Sequence, residues 1–216
     1  MKHLYNLIIF LLFSLDTVQS QTQEIAKFQY KKGIYETFEN FRDNKPTKEL
    51  NYAIIPKSKV IGSIFSDKNF NVYRLDISAK QKDSVGSPYG ICDGTNFYFN
   101  KSISTTSIFN VNPRTEFYKM ENYGRYTTYK AIGSSSSGGF SMGAGGMMMS
   151  NGGSSVNVLI DYIINMETGY IVALDKKVLK KILADDEELA GLFDQDKHKK
   201  TLMLDYLLWY NKKHPL

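Results

Sequence analysis

The sequence predicts an α+β fold, mostly antiparallel β-sheet, with a short N-terminal helix and two to three C-terminal helices packed on the sheet. Three observations predict it. Apolar and polar residues alternate with period two through the middle of the chain, and turn residues separate the alternating segments. The period then changes to that of a helix after Asp175.

Residues 1–20 are predicted to be a secretory signal peptide. Lys2 supplies a basic start, an apolar run extends from Leu4 to Leu15, and Ser20 ends a small-residue cleavage pattern. The run is shorter than the roughly 20 apolar residues of a transmembrane helix, although an uncleaved signal anchor is an alternative. We therefore expect export and a single domain over residues 21–216.

The first predicted element after the leader is a short helix. Thr37 is placed to cap it, Phe38 and Phe41 share one of its faces, and Pro46 follows as a stop. We expect the two phenylalanines to pack this helix onto the sheet.

Strands are predicted next. Three segments of residues 50–78 have the strand pattern, namely LNYAII, KVIGSIF and NFNVYRLDIS. The pair Asp93-Gly94 then predicts a hairpin with a type I′ turn, flanked by strands at Tyr89–Cys92 and Asn96–Asn100.

Two further strand pairs follow, and an unusual tract separates them. The first pair turns near Asn122–Gly124 and the second around Glu167-Thr168-Gly169. Between them, residues 133–155 hold Gly, Ser or Met at twenty of twenty-three positions and carry no charge. We expect this tract to be a flexible loop at the tip of a long hairpin or in a strand crossover.

The C-terminal segment is predicted to be helical. Asp175 caps a first helix that buries Val178, Leu179, Ile182 and Leu183 on one face, while its other face carries Lys176, Lys177, Lys180 and Lys181. A second acidic cap begins another helix in the segment DDEELAGLF. The last helix, about His198 to Asn211, is apolar almost all round and is expected to be well buried.

Composition excludes several classes of protein. The single cysteine, Cys92, cannot form an internal disulfide and is expected to be buried. The formal net charge is +5, and residues 27–82 carry twelve Lys or Arg against six Asp or Glu. We expect no nucleic-acid partner, because an exported chain meets anionic envelope lipid or polysaccharide first; an ordinary solvated surface is the alternative.

The sequence offers few groups for catalysis, so no cofactor or metal site is expected. Beyond the leader only His198 and His214 remain, without zinc-ligand spacing or a glycine-flanked serine nucleophile. A glycan hydrolase that uses two carboxylates is the enzymatic alternative, with Asp76, Asp93 and Asp161 as candidates. Each of these also has a structural interpretation, as a turn residue or an outward strand residue.

One candidate binding surface is the segment YGRYTTY, which contains Tyr123, Arg125, Tyr126 and Tyr129. Exposed aromatic rings in a row stack on sugar rings. In a strand, however, Tyr126 and Tyr129 face opposite sides, so core packing is the competing interpretation.

The other candidate surface is the loop of residues 133–155, which carries Phe140, Met142, Met147, Met148 and Met149. Methionine is flexible and polarisable, so the loop suits contact with a membrane surface or a partner. Thioethers also bind Cu(I), which leaves a copper site as an alternative. A functionally neutral insertion is the third interpretation.

Several segments resemble, in the same order, a family of exported proteins of unknown function from Bacteroidota-type bacteria. They are GIYETFENFRDNKP, YGICDGTNFYFN, GRYTTY, IDYIINMETGYIVALD and LLWYNKK, between about Gly33 and Lys213. The resemblance implies a periplasmic or envelope location in a Gram-negative bacterium and supplies no catalytic residue. The leading hypothesis is therefore a non-enzymatic exported module that binds an envelope protein or glycan. The oligomeric state stays open.

Overall fold

The computed structural model describes residues 29–49, 51–63, 66–78, 85–104, 116–135 and 156–216. The predicted signal peptide lies outside these residues. Within them, nine strands form one sheet in which every strand pair is antiparallel, and short helices lie at both ends of the chain. The predicted α+β class is confirmed.

The strands are β1 Gly33–Tyr35, β2 Ala53–Ser63, β3 Ser66–Asp76, β4 Gly90–Cys92, β5 Phe97–Asn100, β6 Phe117–Asn122, β7 Tyr126–Ser135, β8 Val156–Asn165 and β9 Ile171–Ala173. The helices are α1 Phe38–Arg42, α2 Lys176–Ile182, α3 Glu187–Gln195 and α4 Met203–Lys213. Single 3-10 turns follow β5 at Lys101–Ser104 and α2 at Leu183–Asp185.

The sheet has a main path and a side branch. Its main order is β1-β4-β5-β6-β7-β8-β9, and the β2–β3 hairpin joins β6 through the pair Tyr73 and Phe117. The register of β6 against β7 shifts between Met120 and Asn122, an irregularity of the kind that increases local twist. Strand β2 also lies against β8, so the branch curls over one face of the sheet.

Two predicted details of the strands are wrong. The described parts of the segments LNYAII and KVIGSIF that are in strand, residues 53–55 and 59–63, belong to one strand, β2. It continues through Pro56 because, among the described strands, β2 is hydrogen-bonded to β3 alone and an edge strand tolerates a missing donor. The Asp93-Gly94 turn is not type I′, because Gly94 has a positive φ of 96° and Asp93 does not. Instead the Asp93 carboxylate accepts hydrogen bonds from the amides of Thr95 and Asn96, both at 2.7 Å.

The other hairpins are confirmed. Strands β6 and β7 turn at residues 123–125, and β8 and β9 turn through Gly169, whose φ of 74° suits glycine. Strands β7 and β8 pair continuously from Tyr126 and Asn165 to Ser135 and Val156. The Gly/Ser/Met tract therefore begins within a hairpin rather than a crossover, and residues 136–155 lie outside the described part of the chain.

One face of the sheet is covered by aromatic side chains, which we call the aromatic face. Helix α1 is capped by Thr37, whose hydroxyl accepts from the Asn40 amide, and it buries Phe41 completely. The Phe41 ring lies 4.6 Å from that of Phe97 and 4.9 Å from that of Tyr30. The predicted packing of this helix onto the sheet is confirmed.

The opposite face of β7–β9 is covered by α2, α3 and α4, which we call the helical layer. Its apolar centre includes Ile163 from β8, Leu179, Phe193 and Leu207. Helix α4 begins at Met203, later than predicted, because turns occupy residues 197–202. The expectation that α4 is well buried holds for one side only, because Tyr206, Leu207 and Tyr210 are buried whereas Trp209 is 49% exposed.

Candidate functional site

An open recess of about 600 Å³ lies on the outer side of the helical layer, along α2. It is lined by Lys176, Lys177, Lys180, Lys181 and Ala184. We call it the lysine recess. The walls are mostly the aliphatic stems of the lysines, and the ammonium groups at their ends give the recess a positive charge that suits an anion.

The sequence of α2 places the lysines together. The Asp175 carboxylate caps the helix by accepting from the Val178 amide at 2.7 Å. Leu179 and Ile182 are buried against the sheet, which leaves the lysine face of the helix outward. Residues four apart on a helix are neighbours about 6 Å apart along the axis, so the four ammonium groups form a compact group.

Acidic side chains neutralise little of this charge. Lys180 pairs with Asp194 of α3 at 2.6 Å, and the hydrogen bond from Lys180 lowers the pKa of the Asp194 carboxyl. Among the described residues, Lys176, Lys177 and Lys181 have no acidic partner within ion-pair distance. The recess therefore keeps a net positive charge at neutral pH.

A polar network fixes the helices behind the recess. Asp186 caps α3 through the Leu189 amide, and its carboxylate contacts Lys213 Nζ at 2.9 Å and His214 Nε2 at 2.9 Å. Hydrogen bonds from Lys213, His214 and Leu189 hold the pKa of Asp186 well below its usual range. The end of α4 is thereby held at the start of α3.

A second contact attaches α4 to the sheet. The Asn211 amide group donates to the carbonyl of Tyr126 at 2.8 Å and accepts from its backbone amide at 2.9 Å. Gly124 lies beneath it, where an added Cβ would be 2.7 Å from Asn211 Nδ2. The recess thus rests on helices that are attached to one another and to the sheet.

The predicted tyrosine surface is divided between the two faces of the sheet. Tyr129 is fully buried on the aromatic face, where its ring stacks 5.5 Å from that of Tyr162. Tyr126 faces the helical layer, with its ring 5.8 Å from that of Tyr210. Tyr123 is half-buried against the aromatic face. These three rings do not form one accessible row.

Arg125, the fourth residue of that set, lies in the β6–β7 turn. Its guanidinium donates to the Glu167 carboxylate at 2.6 Å, and this hydrogen bond raises the pKa of Arg125. It links two neighbouring turns. The loop residues predicted to bind a membrane, a partner or copper lie outside the described part of the chain, namely Phe140, Met142, Met147, Met148 and Met149.

The three carboxylates considered for catalysis have separate surroundings. The Asp93 carboxylate accepts hydrogen bonds from two backbone amides and from the Tyr98 hydroxyl, so both of its oxygens already have partners in and beside the turn. Asp161 pairs with Lys130 at 3.3 Å on β7, and Asp76 is exposed at the end of β3. The described contacts show no catalytic pair among them.

Cys92 is buried, as predicted, and burial raises the pKa of its thiol. In the described ranges no group of three or more His, Cys, Asp or Glu side chains is arranged to hold a metal ion. The same residues contain no helix that is both long and apolar enough to cross a membrane.

Sequence reasoning identified the lysine face of α2 and gave it no function. The signal was present in the spacing, since the four lysines recur at one, four and five positions along a capped helix. What the sequence did not show is that the surface beside them is concave.

Comparison with known proteins gives one match. A sequence model described as "Family of unknown function (DUF6563)" matches residues 33–214. The chain matches no curated protein and no solved structure.

Proposed function

Because the chain belongs to this family of unknown function, we propose its function from its own geometry: it is an exported, non-enzymatic module that binds an anionic polysaccharide of the cell envelope in the lysine recess. The observation that carries the proposal is the recess itself, an open concavity of about 600 Å³ lined by four lysines. Export is proposed from the signal-peptide pattern of residues 1–20.

The chemistry of the recess favours a polymer with regularly spaced negative charges. Ammonium groups are compact point charges on flexible stems, and they adapt to carboxylates at several positions. A helix with lysines on successive turns presents them along a line, about 6 Å per four residues. A uronic acid polymer carries carboxylates along a line in the same way.

The lining favours a glycan over an apolar partner. Protein interfaces have aromatic and apolar anchors at their centre, and surfaces that enter a membrane carry aromatic or large aliphatic side chains. The lining consists of Ala184 and the aliphatic stems and ammonium groups of the lysines, without an aromatic or large aliphatic anchor. Affinity would therefore come mainly from the ammonium charges, which suit a hydrated polymer.

The test is a titration of the purified protein with polygalacturonate at low salt, in which calorimetry measures the heat of binding. The substitution K176Q/K177Q/K181Q removes three recess charges and keeps the Lys180 pair with Asp194. We expect the affinity to fall by about tenfold or more. A factor of ten corresponds to about 1.4 kcal/mol of binding free energy, and each contact between a lysine and an anionic group contributes a sizeable part of that.

A matched control changes three exposed lysines outside the recess, K119Q/K200Q/K212Q, and has the same net charge. We expect it to bind nearly as tightly as the parent, and we expect a neutral dextran to bind neither protein. An equal loss of affinity in both variants would show that binding depends on the overall charge of the protein, and it would overturn the site. No binding of polygalacturonate by the parent would overturn the proposed ligand.

A further inference from the structure

One carboxylate lies at the edge of the lysine recess, and the proposed function gives it no role. Asp194, near the end of α3, pairs at 2.6 Å with Lys180, which lines the recess. Its side chain is 57% exposed, and an ion pair that faces solvent in this way contributes little to stability. A negative charge also repels an anionic ligand. A site for a bare anion would therefore bind more tightly without Asp194.

The fold holds Asp194 in this position. The Lys199 ammonium donates to the backbone carbonyl of Asp194 at 2.8 Å. It also lies 5.9 Å from the centre of the Phe193 ring, which is fully buried. The hydrogen bond from Lys180, together with the charges of Lys199 and Lys176, lowers the pKa of Asp194. The carboxylate therefore stays ionised at neutral pH and remains beside the recess.

One oxygen of this carboxylate is available to a ligand. Oδ1 is the atom that pairs with Lys180. Among the residues that the structure describes, none donates a hydrogen bond to Oδ2 or forms an ion pair with it. An ionised carboxylate accepts hydrogen bonds and donates none. A hydroxyl group of the ligand is therefore a suitable partner, and a hydrogen bond to a charged acceptor is stronger than one between neutral groups.

We infer that Asp194 determines the specificity of the lysine recess: its free oxygen accepts a hydrogen bond from a hydroxyl of a saccharide whose carboxylate lies against the lysines. This inference rests on the proposed function and narrows its ligand to anions that carry hydroxyls as well as charge. A uronic acid polymer has free ring hydroxyls on every sugar unit. A polyanion without hydroxyls meets the same lysines together with the repulsion from Asp194, so it binds less well.

The experiment compares two polymers that share the carboxylate group. Polygalacturonate has hydroxyls and polyacrylate has none, and calorimetry at low salt measures the affinity of each for the parent and for Asp194→Asn. The substitution removes the repulsion and releases Lys180, so polyacrylate is expected to bind about fivefold more tightly.

For polygalacturonate, the same gain is offset because the hydroxyl loses its charged acceptor, and hydrogen bonds to charged groups contribute more than neutral ones. Its affinity for Asp194→Asn is therefore expected to equal the parental value or to fall below it. The preference for polygalacturonate over polyacrylate thus falls by about fivefold or more.

Two further variants are the controls. Asp76→Asn removes the same charge from an exposed position at the end of β3, outside the recess, and is expected to leave the preference at its parental value. Asp194→Glu keeps the carboxylate and is expected to keep most of the preference.

The outcomes separate this inference from the proposed function. If the parent binds polygalacturonate and Asp194→Asn changes the affinity for both polymers by the same factor, Asp194 acts through its charge alone. That result overturns the specificity role and leaves the recess as the binding site. No binding of polygalacturonate by the parent overturns both.

Discussion

The aromatic face and the helical layer cover opposite sides of the same sheet, and they are stabilised by different chemistry. On the aromatic face, rings from β1, α1, β5, β6, β7 and β8 pack directly on one another, and several tyrosine hydroxyls are buried. In the helical layer, an apolar centre is surrounded by carboxylates that cap helices and pair with cations. One face depends on ring packing and the other on capped, charged helices.

The two kinds of packing determine which side chains are accessible to a ligand. Rings that fill a close-packed core are not available to a partner, however well tyrosine suits sugars. The helical layer buries its apolar side chains and turns long cationic side chains outward. The same segments that stabilise it therefore form the accessible recess.

The largest expected effect is on the aromatic face. Phe41→Ala removes a fully buried ring in contact with Tyr30, Phe97 and Phe99. We expect a loss of about 3–5 kcal/mol in the free energy of unfolding, measured by urea denaturation. Phe38→Ala, at a partly exposed position on the same helix, should cost clearly less. Equal losses would contradict the role given to α1.

A smaller effect on stability is expected in the helical layer, and it depends on pH. The pKa of Asp186 is depressed in the folded protein, so its contribution is present above the unfolded value of about 3.9 and is lost as the pH falls further. Asp186→Asn keeps a capping side chain but loses the charge. We expect a lower Tm than the parent at pH 7 and a difference that shrinks as the pH falls below about 4.

The control for that experiment is Asp175→Asn, which changes the exposed cap of α2. It should lower Tm little at either pH. A difference for Asp186→Asn that stays constant between pH 7 and pH 2 would show that the depressed pKa contributes nothing to stability.

The smallest expected effect is on a buried hydroxyl of the aromatic face. The Tyr89 hydroxyl has no hydrogen-bond partner among the described residues, and burial raises the pKa of Tyr89. Because the pKa is raised on folding, the contribution of Tyr89 to stability is fully present below the pKa of the unfolded chain, about 10, and is lost as the pH rises above that value. Tyr89→Phe should change stability at pH 7 by less than about 1 kcal/mol and reduce the loss above pH 10.

Tyr170→Phe is the matched control, because Tyr170 is 68% exposed. We expect it to leave the alkaline profile of Tm unchanged. If Tyr89→Phe were also without effect above pH 10, the buried hydroxyl would not be the source of alkaline instability.

The local elements could be predicted from the sequence because each depends on a short pattern. Thr37, Asp175 and the turn at Gly169 act on residues within three or four positions, and the structure confirms them. The late start of α4 could not be predicted because residues 197–202, which form turns, contain no Gly, Pro, Asn or Asp to mark a break in the helical pattern. The exposure of Trp209 depends on how much of α4 the sheet covers, which no local pattern records.

The binding sites are less predictable because they depend on distant residues. Tyrosine suits a core, a strand and a sugar surface alike, so only packing decides that Tyr129 is buried. Long-range contacts of charged side chains are equally hidden, since Lys59 pairs with the carboxylate of Glu116, 57 residues away. The open recess beside α2 depends on where its long lysine side chains lie, which no local pattern records. Its lysines could be predicted to face outward, and the recess could not.

The salt dependence of polygalacturonate binding tests most directly the claim that the lysine recess is the binding site. When binding releases counterions, the logarithm of the affinity falls linearly with the logarithm of the salt concentration. The slope is set by the number of charge contacts. We predict a clearly shallower slope for K176Q/K177Q/K181Q than for the parent, and the parental slope for K119Q/K200Q/K212Q. Identical slopes for the two variants would contradict the assignment of binding to the recess.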